Sequence, residues 1–380
     1  MGKRARAFII SSDMITPYGQ GTARAWDGLM SGASAIAETS RFQSGPSRGV
    51  RAGTVEGLEY HRGPSLVMQM LGRLLEGKGF PPDCRLYLAT TKGEIDILEQ
   101  AVLRGMPDQD AAQSNPAVLL ERLRRMLGLR HEGTLVSAAC ASGSAALAMA
   151  ASDVSSGRAG SALVVACDSL TEFVCSGFSS LMAIDEAGAR PFDRDRAGLS
   201  LGEAAAYAFI AGPEEAGADC IAVTGWGMSS DANHMTGPSR DGRGLSAAIT
   251  KALDMAGAAP QDIGSVSAHG TGTPYNDSME MKAFKKAGLA PAGRAIPVYS
   301  VKGGMGHSMG AAGLVEALLA GRCMHEGRVP PTVGLREVDD EARGWVSDRP
   351  QAVGRSAKCL TTNSGFGGIN AALVLEAPGA

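Results

Sequence analysis

The 380-residue sequence lacks the patterns typical of metal sites, disulfide frameworks and nucleotide-binding loops. Its seven cysteines are odd in number and include no CxxC pair, and its six histidines include no HExxH motif. Neither a GxGxxG loop nor a GxxxxGK loop ending in Ser or Thr occurs. These absences argue against structural zinc, structural disulfides and phosphate-binding glycine loops.

Long apolar runs and a strong net charge are also absent. No stretch of about 18 apolar residues occurs, so we expect no membrane span. The apolar run near the N-terminus is interrupted by Ser11, Ser12 and Asp13, which favours a first strand over a signal peptide. A net charge of −3 and a pI near 6.1 give no whole-chain case for nucleic-acid binding. Together with the unpaired cysteines, these features predict a reduced, cytoplasmic compartment.

What is present is an alternation of apolar runs of strand length with Ala-rich segments of helical length. This alternation predicts an α/β fold in layers. The polar, Gly- and Pro-bearing stretch GPEEAGAD (212–219) is the best boundary, and it divides the chain into halves 1–213 and 214–380. Segments 136–153 and 299–320 both run from a strand through a small-residue elbow into an Ala-rich helix, a pattern that indicates internal duplication.

Cys140 stands alone among Ala, Ser and Gly in VSAACASGSAALAMA. If a strand ends before it and a helix begins after it, the free amides and the helix dipole favour a thiolate there. Small neighbours would let a thioester approach the sulfur, and backbone amides could hold an oxyanion. A buried, inert cysteine that fills a tight core is the alternative.

Three further segments carry candidate partners for this thiol. His269 lies in SAHGTGTPYND, Lys302 and His307 lie in SVKGGMGHSMGAAG, and Phe366 lies in TTNSGFGG. A single loop histidine is more often structural than catalytic. The four segments together favour a functional site over that interpretation.

Three further segments, together with those above, give the sequence a resemblance to a known family. ITPYG (15–19), RPFDRDRAGLSLGEAAA (190–206) and SSDANHMTGPSRDG (229–242) join the cysteine, histidine, lysine and GFGG segments. This set is similar to that of the β-ketoacyl-acyl-carrier-protein synthases of the thiolase superfamily, in the branch with a Cys-His-His triad. The resemblance covers nearly the whole chain and implies a thiolase-like fold with a duplicated, layered αβαβα architecture.

The resemblance implies a decarboxylative Claisen condensation in fatty acid or specialised polyketide or polyene biosynthesis. Cys140 would take an acyl group from a thioester. His269 and His307 would stabilise the enolate formed when malonyl-acyl carrier protein loses carbon dioxide, and Lys302 would hold the charge of the network. The amides of Cys140 and Phe366 would form the oxyanion hole, with the Phe366 ring gating the acyl pocket. Covalent catalysis of this kind implies no metal and no cofactor.

Other positions qualify the resemblance. Asp277 and Glu280 match acidic residues that order this site, with a surface role as the alternative. Met305 stands where the family usually has threonine, and NSGFGG is one residue shorter than usual. These departures favour a specialised pathway over housekeeping fatty acid synthesis.

Two other functions compete with a condensing enzyme. A non-catalytic partner subunit that sets chain length would usually lack the cysteine, whereas a thiolase acting on coenzyme A esters would carry a second catalytic cysteine near the C-terminus, where only Cys359 stands.

The expected partners are the acyl and malonyl forms of acyl carrier protein and a second copy of the chain, with a heterodimer left open. The basic run RLRRMLGLRH (122–131), with Arg124 and Arg125 at its centre, is interpreted as a solvated helix face rather than the carrier-docking patch.

Overall fold

The computed structural model describes residues 6–42, 47–107, 111–290, 295–354 and 358–377. The strands are β1 (Ala7–Thr16), β2 (Gly19–Gln20), β3 (Ile36–Glu38), β4 (Arg51–Gly53), β5 (Arg85–Ala89), β6 (Thr134–Val136), β7 (Ser161–Asp168), β8 (Leu201–Gly202), β9 (Ala204–Ala211), β10 (Ile221–Ser230), β11 (Ile263–Ser267), β12 (Val298–Tyr299), β13 (Arg328–Val329), β14 (Gln351–Ala352), β15 (Lys358–Gly365) and β16 (Ile369–Glu376). The helices are α1 (Thr22–Met30), α2 (Leu66–Leu75), α3 (Ile95–Arg104), α4 (Pro116–Met126), α5 (Ser142–Ser155), α6 (Glu172–Ser180), α7 (Arg243–Ala256), α8 (Pro274–Lys286), α9 (Lys302–Met305) and α10 (Ala312–Glu326). None of these helices is both long enough and apolar enough to cross a membrane.

The main sheet repeats one strand order twice. Its path is β12-β11-β15-β16-β10-β1-β9-β7-β5-β6, with β2 paired to β1. In the first half, β5 is parallel to β6 and β7, and β9 is antiparallel to β7 and β1. In the second half, β11 is parallel to β12 and β15, and β16 is antiparallel to β15 and β10. The two halves meet where β1 pairs with β10. This repeat supports the internal duplication, while the boundary between residues 213 and 214 stays a prediction.

Helices α5 and α10 form a buried layer between the two halves of the sheet. Helix α5 packs on β7 and on α10, and α10 packs on β15. Their small residues permit this close approach, because a Cβ added to Gly143 would lie 2.5 Å from the backbone nitrogen of Leu314. Helices α2 and α4 cover the outer face of the first half, and α7 and α8 cover that of the second. The layers therefore run helix, sheet, helix, sheet, helix, which is the expected αβαβα order.

Two turns lead into this central layer from corresponding strands. The first central turn (residues 137–141) joins β6 to α5, and the second central turn (residues 300–311) follows β12 and leads into α10. Both contain a non-glycine residue in the left-handed region, Ala139 with φ 48° and Met309 with φ 53°. Because β6 and β12 hold matching places in the sheet, the two turns face each other, and each presents side chains to the same site.

Candidate active site

Cys140 lies in the first central turn, two residues before α5 begins. It is 7% exposed and lines a cavity of about 770 Å³ together with His269, His307 and Phe366. Its Sγ lies 3.0 Å from Nε2 of His307. The structure thus brings together residues that are more than one hundred positions apart in sequence, and Cys140 lines a cavity instead of lying within the packed core.

The second central turn fixes the tautomer of His307. The backbone N–H of Met309 donates to Nδ1 of His307 over 3.2 Å, so Nδ1 must carry a lone pair. In the neutral ring the proton is then on Nε2, which points at the Cys140 sulfur. Burial, with Lys302 and Lys92 nearby, holds the pKa of His307 well below its usual range, so the ring stays neutral.

His269 reaches the same site from the loop after β11. Its Nδ1 faces two donors, Nζ of Lys302 at 3.2 Å and Nδ2 of Asn363 at 3.3 Å. Nε2 therefore carries the proton here too. Burial and Lys302 hold the pKa of His269 well below its usual range. The His269 and His307 ring centroids are 5.1 Å apart and nearly perpendicular, so the site holds two neutral imidazoles with protonated Nε2 atoms.

Lys302 is fully buried and forms an ion pair with Glu316 of α10. Its Nζ also donates to the backbone carbonyl of His269. Glu316 accepts a second bond, over 2.7 Å, from Nδ2 of Asn363. The hydroxyl of Ser144 donates to Oδ1 of Asn363, which fixes the orientation of that amide. Lys302, Glu316, Asn363 and Ser144 therefore form one hydrogen-bond network, which keeps two N–H donors at Nδ1 of His269.

Asp277 and Glu280 hold the backbone of the His269 loop. Glu280 accepts the N–H groups of His269 at 2.7 Å and Gly270 at 2.6 Å, and Asp277 accepts that of Thr271 at 3.1 Å. Both carboxylates are buried, and burial raises the pKa of Glu280 to about 8. The alternative of a surface role is therefore wrong.

Phe366 comes directly after Gly365, the residue at which the C-terminal tail packs closely against the first central turn. A Cβ added to Gly365 would lie 2.9 Å from the carbonyl oxygen of Ala138 and 3.2 Å from the nitrogen of Cys140, so this position needs glycine. The Phe366 ring stacks on Phe178 with centroids 5.8 Å apart. The tail thereby places both the amide and the ring of Phe366 at the cavity wall beside the sulfur.

Comparison with known proteins identifies the family. The model of the beta-ketoacyl synthase N-terminal domain matches residues 66–216, and that of the C-terminal domain matches residues 221–336. The ketoacyl synthase alpha subunit of the tetracenomycin polyketide synthase from Streptomyces glaucescens is 30% identical, over 98% of this chain and 97% of its own length. The chain belongs to the β-ketoacyl synthase family. The ketosynthase function expected from the sequence is confirmed at this level.

Two further likenesses agree with this assignment. The 3-oxoacyl-acyl-carrier-protein synthase 2 of Vibrio cholerae is 30% identical, over 99% of this chain and all of its own length. The solved ishigamide ketosynthase/chain length factor superposes with a TM-score of 0.87 at 29% identity, over 99% of this chain and 100% of that one. The thiolase-like fold and the acyltransferase class expected from the sequence are thus both confirmed.

The thiol of this synthase is less acidic than its position in sequence predicts. Burial raises the pKa of Cys140, and this outweighs the opposing effects of Lys302, Lys92 and the backbone N–H of Phe366. The helix terminus favours the thiolate, but the sulfur is also desolvated between the two halves of the fold, and desolvation has the larger effect on its pKa. A hydrogen-bond donor that stabilises the thiolate is therefore needed, and Nε2–H of His307 lies 3.0 Å from the sulfur.

The donor set of the synthase is a poor fit to a metal ion. Ligand atoms of Cys140, His269 and His307 lie within 4.8 Å of one another. A metal-bound imidazole normally donates its other N–H to an acceptor. Here Nδ1 of each ring instead accepts hydrogen bonds, so each neutral ring carries its proton on Nε2. That proton stands where a metal ion would have to bind. The expected absence of metal and cofactor stays a prediction.

Sequence reasoning missed Glu316 and Asn363. The signal for Glu316 was a single charge in the small-residue and apolar run GAAGLVEALLA, because a carboxylate placed there must be buried and paired. Asn363 lies in the TTNSGFGG segment, but the sequence does not show which side chains it bonds. Met305, in contrast, is buried and is not among the residues that line the cavity, so its link to substrate choice stays a prediction.

Proposed function

We propose that this chain catalyses the decarboxylative Claisen condensation of an acyl-enzyme thioester with malonyl-acyl carrier protein. The single observation that carries the proposal is the 3.0 Å contact between the Cys140 sulfur and Nε2 of His307 in a cavity that His269 also lines. A sulfur nucleophile and two neutral N–H donors in one cavity suit acyl transfer followed by enolate chemistry.

In the first half-reaction Cys140 takes the acyl group. The Cys140 thiolate, which accepts a hydrogen bond from Nε2–H of His307, attacks the thioester carbonyl, and the amides of Cys140 and Phe366 hold the oxyanion. The carbon–sulfur bond to the carrier then breaks, and the carrier thiolate leaves and takes up one proton in place of the proton that the Cys140 thiol lost on ionisation. The products are an acylated Cys140 and a free carrier thiol.

In the second half-reaction the malonyl thioester carbonyl accepts hydrogen bonds from Nε2–H of His269 and His307. The bond between the α-carbon and the carboxylate breaks, carbon dioxide leaves, and the electron pair forms an enolate. The enolate carbon attacks the acyl carbonyl, and the Cys140 thiolate departs to give a β-ketoacyl thioester two carbons longer. Neutral imidazoles suit this step because they stabilise the enolate oxygen without protonating the carbon nucleophile.

Lys302, Glu316 and Asn363 have a supporting role in this proposal. They keep Nδ1 of His269 facing donors, and this fixes the Nε2–H tautomer that the enolate requires. Asp277 and Glu280 hold the loop that presents His269.

Acyl carrier protein is the proposed partner, in its acyl and malonyl forms. The Vibrio cholerae relative bears the carrier protein in its name. Carrier proteins are acidic, so complementary cations are expected at the cavity mouth. Arg240 is one such cation, exposed on the cavity rim over the Tyr275 ring.

We also propose a dimer, in a cytoplasmic setting. Helix α3 exposes Val102 by 73% and Leu103 by 69%, and edge strand β6 exposes Leu135. An apolar helix face and an open strand edge favour coverage by another chain. A second copy is the default. A chain-length-determining subunit remains the alternative, since the ishigamide structure pairs a ketosynthase with such a factor.

The competing functions fit the site less well. A purely non-catalytic subunit has no use for the full set of Cys140, His269, His307 and Lys302. A thiolase needs a second cysteine at the site, but Cys359 is fully buried on β15 and does not line the cavity. A specialised polyketide or polyene pathway and fatty acid synthesis both remain compatible with the relatives' names.

The test combines the purified chain with acyl- and malonyl-carrier protein, alone and with a candidate partner subunit. We expect carbon dioxide release and a β-ketoacyl-carrier product two carbons longer. Cys140→Ala should lose the product but still release carbon dioxide. A chain that never carries an acyl group but changes a partner's product length is a length-determining subunit. Condensation of acetyl-coenzyme A as efficient as that of malonyl substrate identifies a thiolase.

A further inference from the structure

Lys92 has no part in the chemistry described so far, yet it reaches the catalytic turn. It lies in the loop after β5 and is partly buried. Its Nζ lies 2.5 Å from Oγ1 of Thr91 and 3.1 Å from Sδ of Met309. Met309 belongs to the second central turn, so this lysine of the first half contacts the turn that carries His307.

The charge of Lys92 is not neutralised by direct contact. Among the described residues, no carboxylate oxygen lies within 4.0 Å of its ammonium nitrogen. The nearest acid in its hydrogen-bond network is Asp168, reached through Thr91, whose hydroxyl donates to Oδ2 of Asp168 over 2.7 Å. An ammonium paired only through a hydroxyl keeps much of its field for other nearby groups.

Asp168 ties the same turn to the first half. It is fully buried at the end of β7 and accepts the backbone N–H of Gly310 over 2.7 Å and that of Thr91 over 3.0 Å. A Cβ added to Gly310 would lie 2.7 Å from Asp168 Oδ2. The loop after β5 and the second central turn are therefore braced on one carboxylate.

This brace leads directly to the imidazole. The Met309 whose sulfur contacts Lys92 is the residue whose N–H donates to Nδ1 of His307, and Nε2 of His307 contacts the Cys140 sulfur. A shift of the turn would therefore change the Cys140–His307 contact.

We propose that Lys92 is a positioning residue of the synthase, which holds a second positive charge behind the Cys140–His307 pair. Through Met309 and Asp168 it also braces the turn that presents His307. The inference deepens the proposed function and rests on it in one respect, that Cys140 is the nucleophile.

Five charged or titratable groups face Cys140 from the elements packed around it. Lys302 comes from the second half, Lys92 and Asp168 from the first, and the two imidazoles from the cavity. Lys302 and Lys92 both lower the pKa of the thiol, whereas Asp168 raises it. Removal of the Lys92 charge leaves Asp168 less compensated, so the thiol should become harder to ionise.

The test is the pH dependence of Cys140 alkylation by iodoacetamide, followed by peptide mass spectrometry on the full chain. Lys92→Met keeps the shape and removes the charge, Lys92→Arg keeps the charge, and Lys92→Gln is a second neutral variant in case Met fails to fold. We expect both neutral variants to shift the inflection upward by about half a pH unit, which lowers the thiolate fraction about threefold at neutral pH. Lys92→Arg should restore most of the wild-type profile.

Cys220 is the internal control because it is a partly exposed cysteine at a distant loop. Its alkylation must stay constant in all variants. An unchanged Cys140 profile in both neutral variants overturns the inference, and so does a change confined to the KM for acyl carrier, since that would make Lys92 a substrate contact. Failure of the wild-type chain to form any β-ketoacyl product, with Cys140 still alkylated, would instead count against the proposed function.

Discussion

The two central turns occupy matching places in a repeated fold but carry different chemistry. The first offers one sulfur, Cys140, among small uncharged residues, and the helix behind it begins SGSAALA. The second carries Lys302 and His307, and its helix contributes Glu316. The two turns hold equivalent places in the repeat, and only the second contains a charged side chain. The proposed nucleophile, Cys140, is therefore surrounded largely by polar groups from the opposite half of the chain.

The largest difference between the two halves should appear when the proposed nucleophile is removed and the second half is left intact. Cys140→Ala should lower condensation by about 10⁴-fold or more, because no covalent intermediate can form. Decarboxylation of malonyl-carrier protein should persist, because both imidazoles remain. Separate assays of carbon dioxide and of β-ketoacyl product check this. Equal loss of both activities would show that the halves do not act separately.

The buried charge of the second half offers the next test. Glu316→Ala leaves Lys302 without its carboxylate, and breaking a buried pair in this way costs about 3–5 kcal/mol of unfolding free energy. Urea denaturation measures it. Glu326→Ala on the same helix is the matched control, because its pair with Arg322 is partly exposed and should contribute less than about 1 kcal/mol.

A companion variant separates stability from activity. Lys302→Met combined with Glu316→Leu removes both charges and should recover much of the lost stability. Condensation should stay low, because Nδ1 of His269 then loses its Lys302 donor, and the Asn363 donor that remains no longer has Glu316 to orient it. A double variant as active as wild type would contradict the tautomer argument.

The two imidazoles can be compared directly. His269→Ala and His307→Ala should each lower the decarboxylation rate by about 10²–10³-fold, since each removes one N–H donor to the enolate oxygen. His307→Ala should also slow acylation of Cys140, whereas His269→Ala should leave acylation closer to wild type. Single-turnover kinetics of the two half-reactions separate these effects. Identical profiles for the two variants would contradict the division of roles.

The sequence motifs of the site were predictable because each is local. Cys140, His269, Lys302 and His307 stand in short Gly- and Ala-rich segments whose pattern survives in one dimension. Lys92 and Asn363 have no such signal, because their roles arise from long-range contacts. Ser144 and Asn363, for example, are 219 positions apart. Glu316 offered only a single charge in an apolar run, without its partners.

The fold was predictable to the level of its layers, since strand and helix periodicities are local as well. The pKa of the Cys140 thiol was not predictable, because it depends on how deeply the two halves of the fold bury the sulfur.

A smaller effect concerns pH. Both imidazoles have pKa values well below 6.5 in the folded state, whereas unfolded imidazoles bind protons near that pH. Below pH 6.5 the unfolded state therefore binds more protons, so stability falls as the pH falls, by up to about 1.4 kcal/mol per pH unit for each ring. Urea denaturation between pH 5 and 7 should show this slope. His307→Gln should reduce it, and an unchanged slope would mean that other groups cause it.

The smallest expected effect lies on the first half's surface. Arg124 and Arg125 both pair with Glu121, as a solvated helix face would. Reversal of both charges to Glu should change carrier-protein affinity by less than about twofold, whereas Arg240→Glu at the cavity mouth should weaken it several-fold. Titration calorimetry compares them. A larger loss for the Arg124 and Arg125 pair would place docking on α4.

A pulse and chase experiment tests directly whether Cys140 carries the acyl group during condensation. The chain is first mixed with acyl-carrier protein, and mass spectrometry of the Cys140 peptide should show the acyl group bound there and on no other cysteine. Malonyl-carrier protein is then added, and the acyl mass should leave Cys140 as an equal amount of product two carbons longer appears with carbon dioxide. A Cys140 peptide that never gains the acyl mass, or keeps it while product forms, would contradict the account.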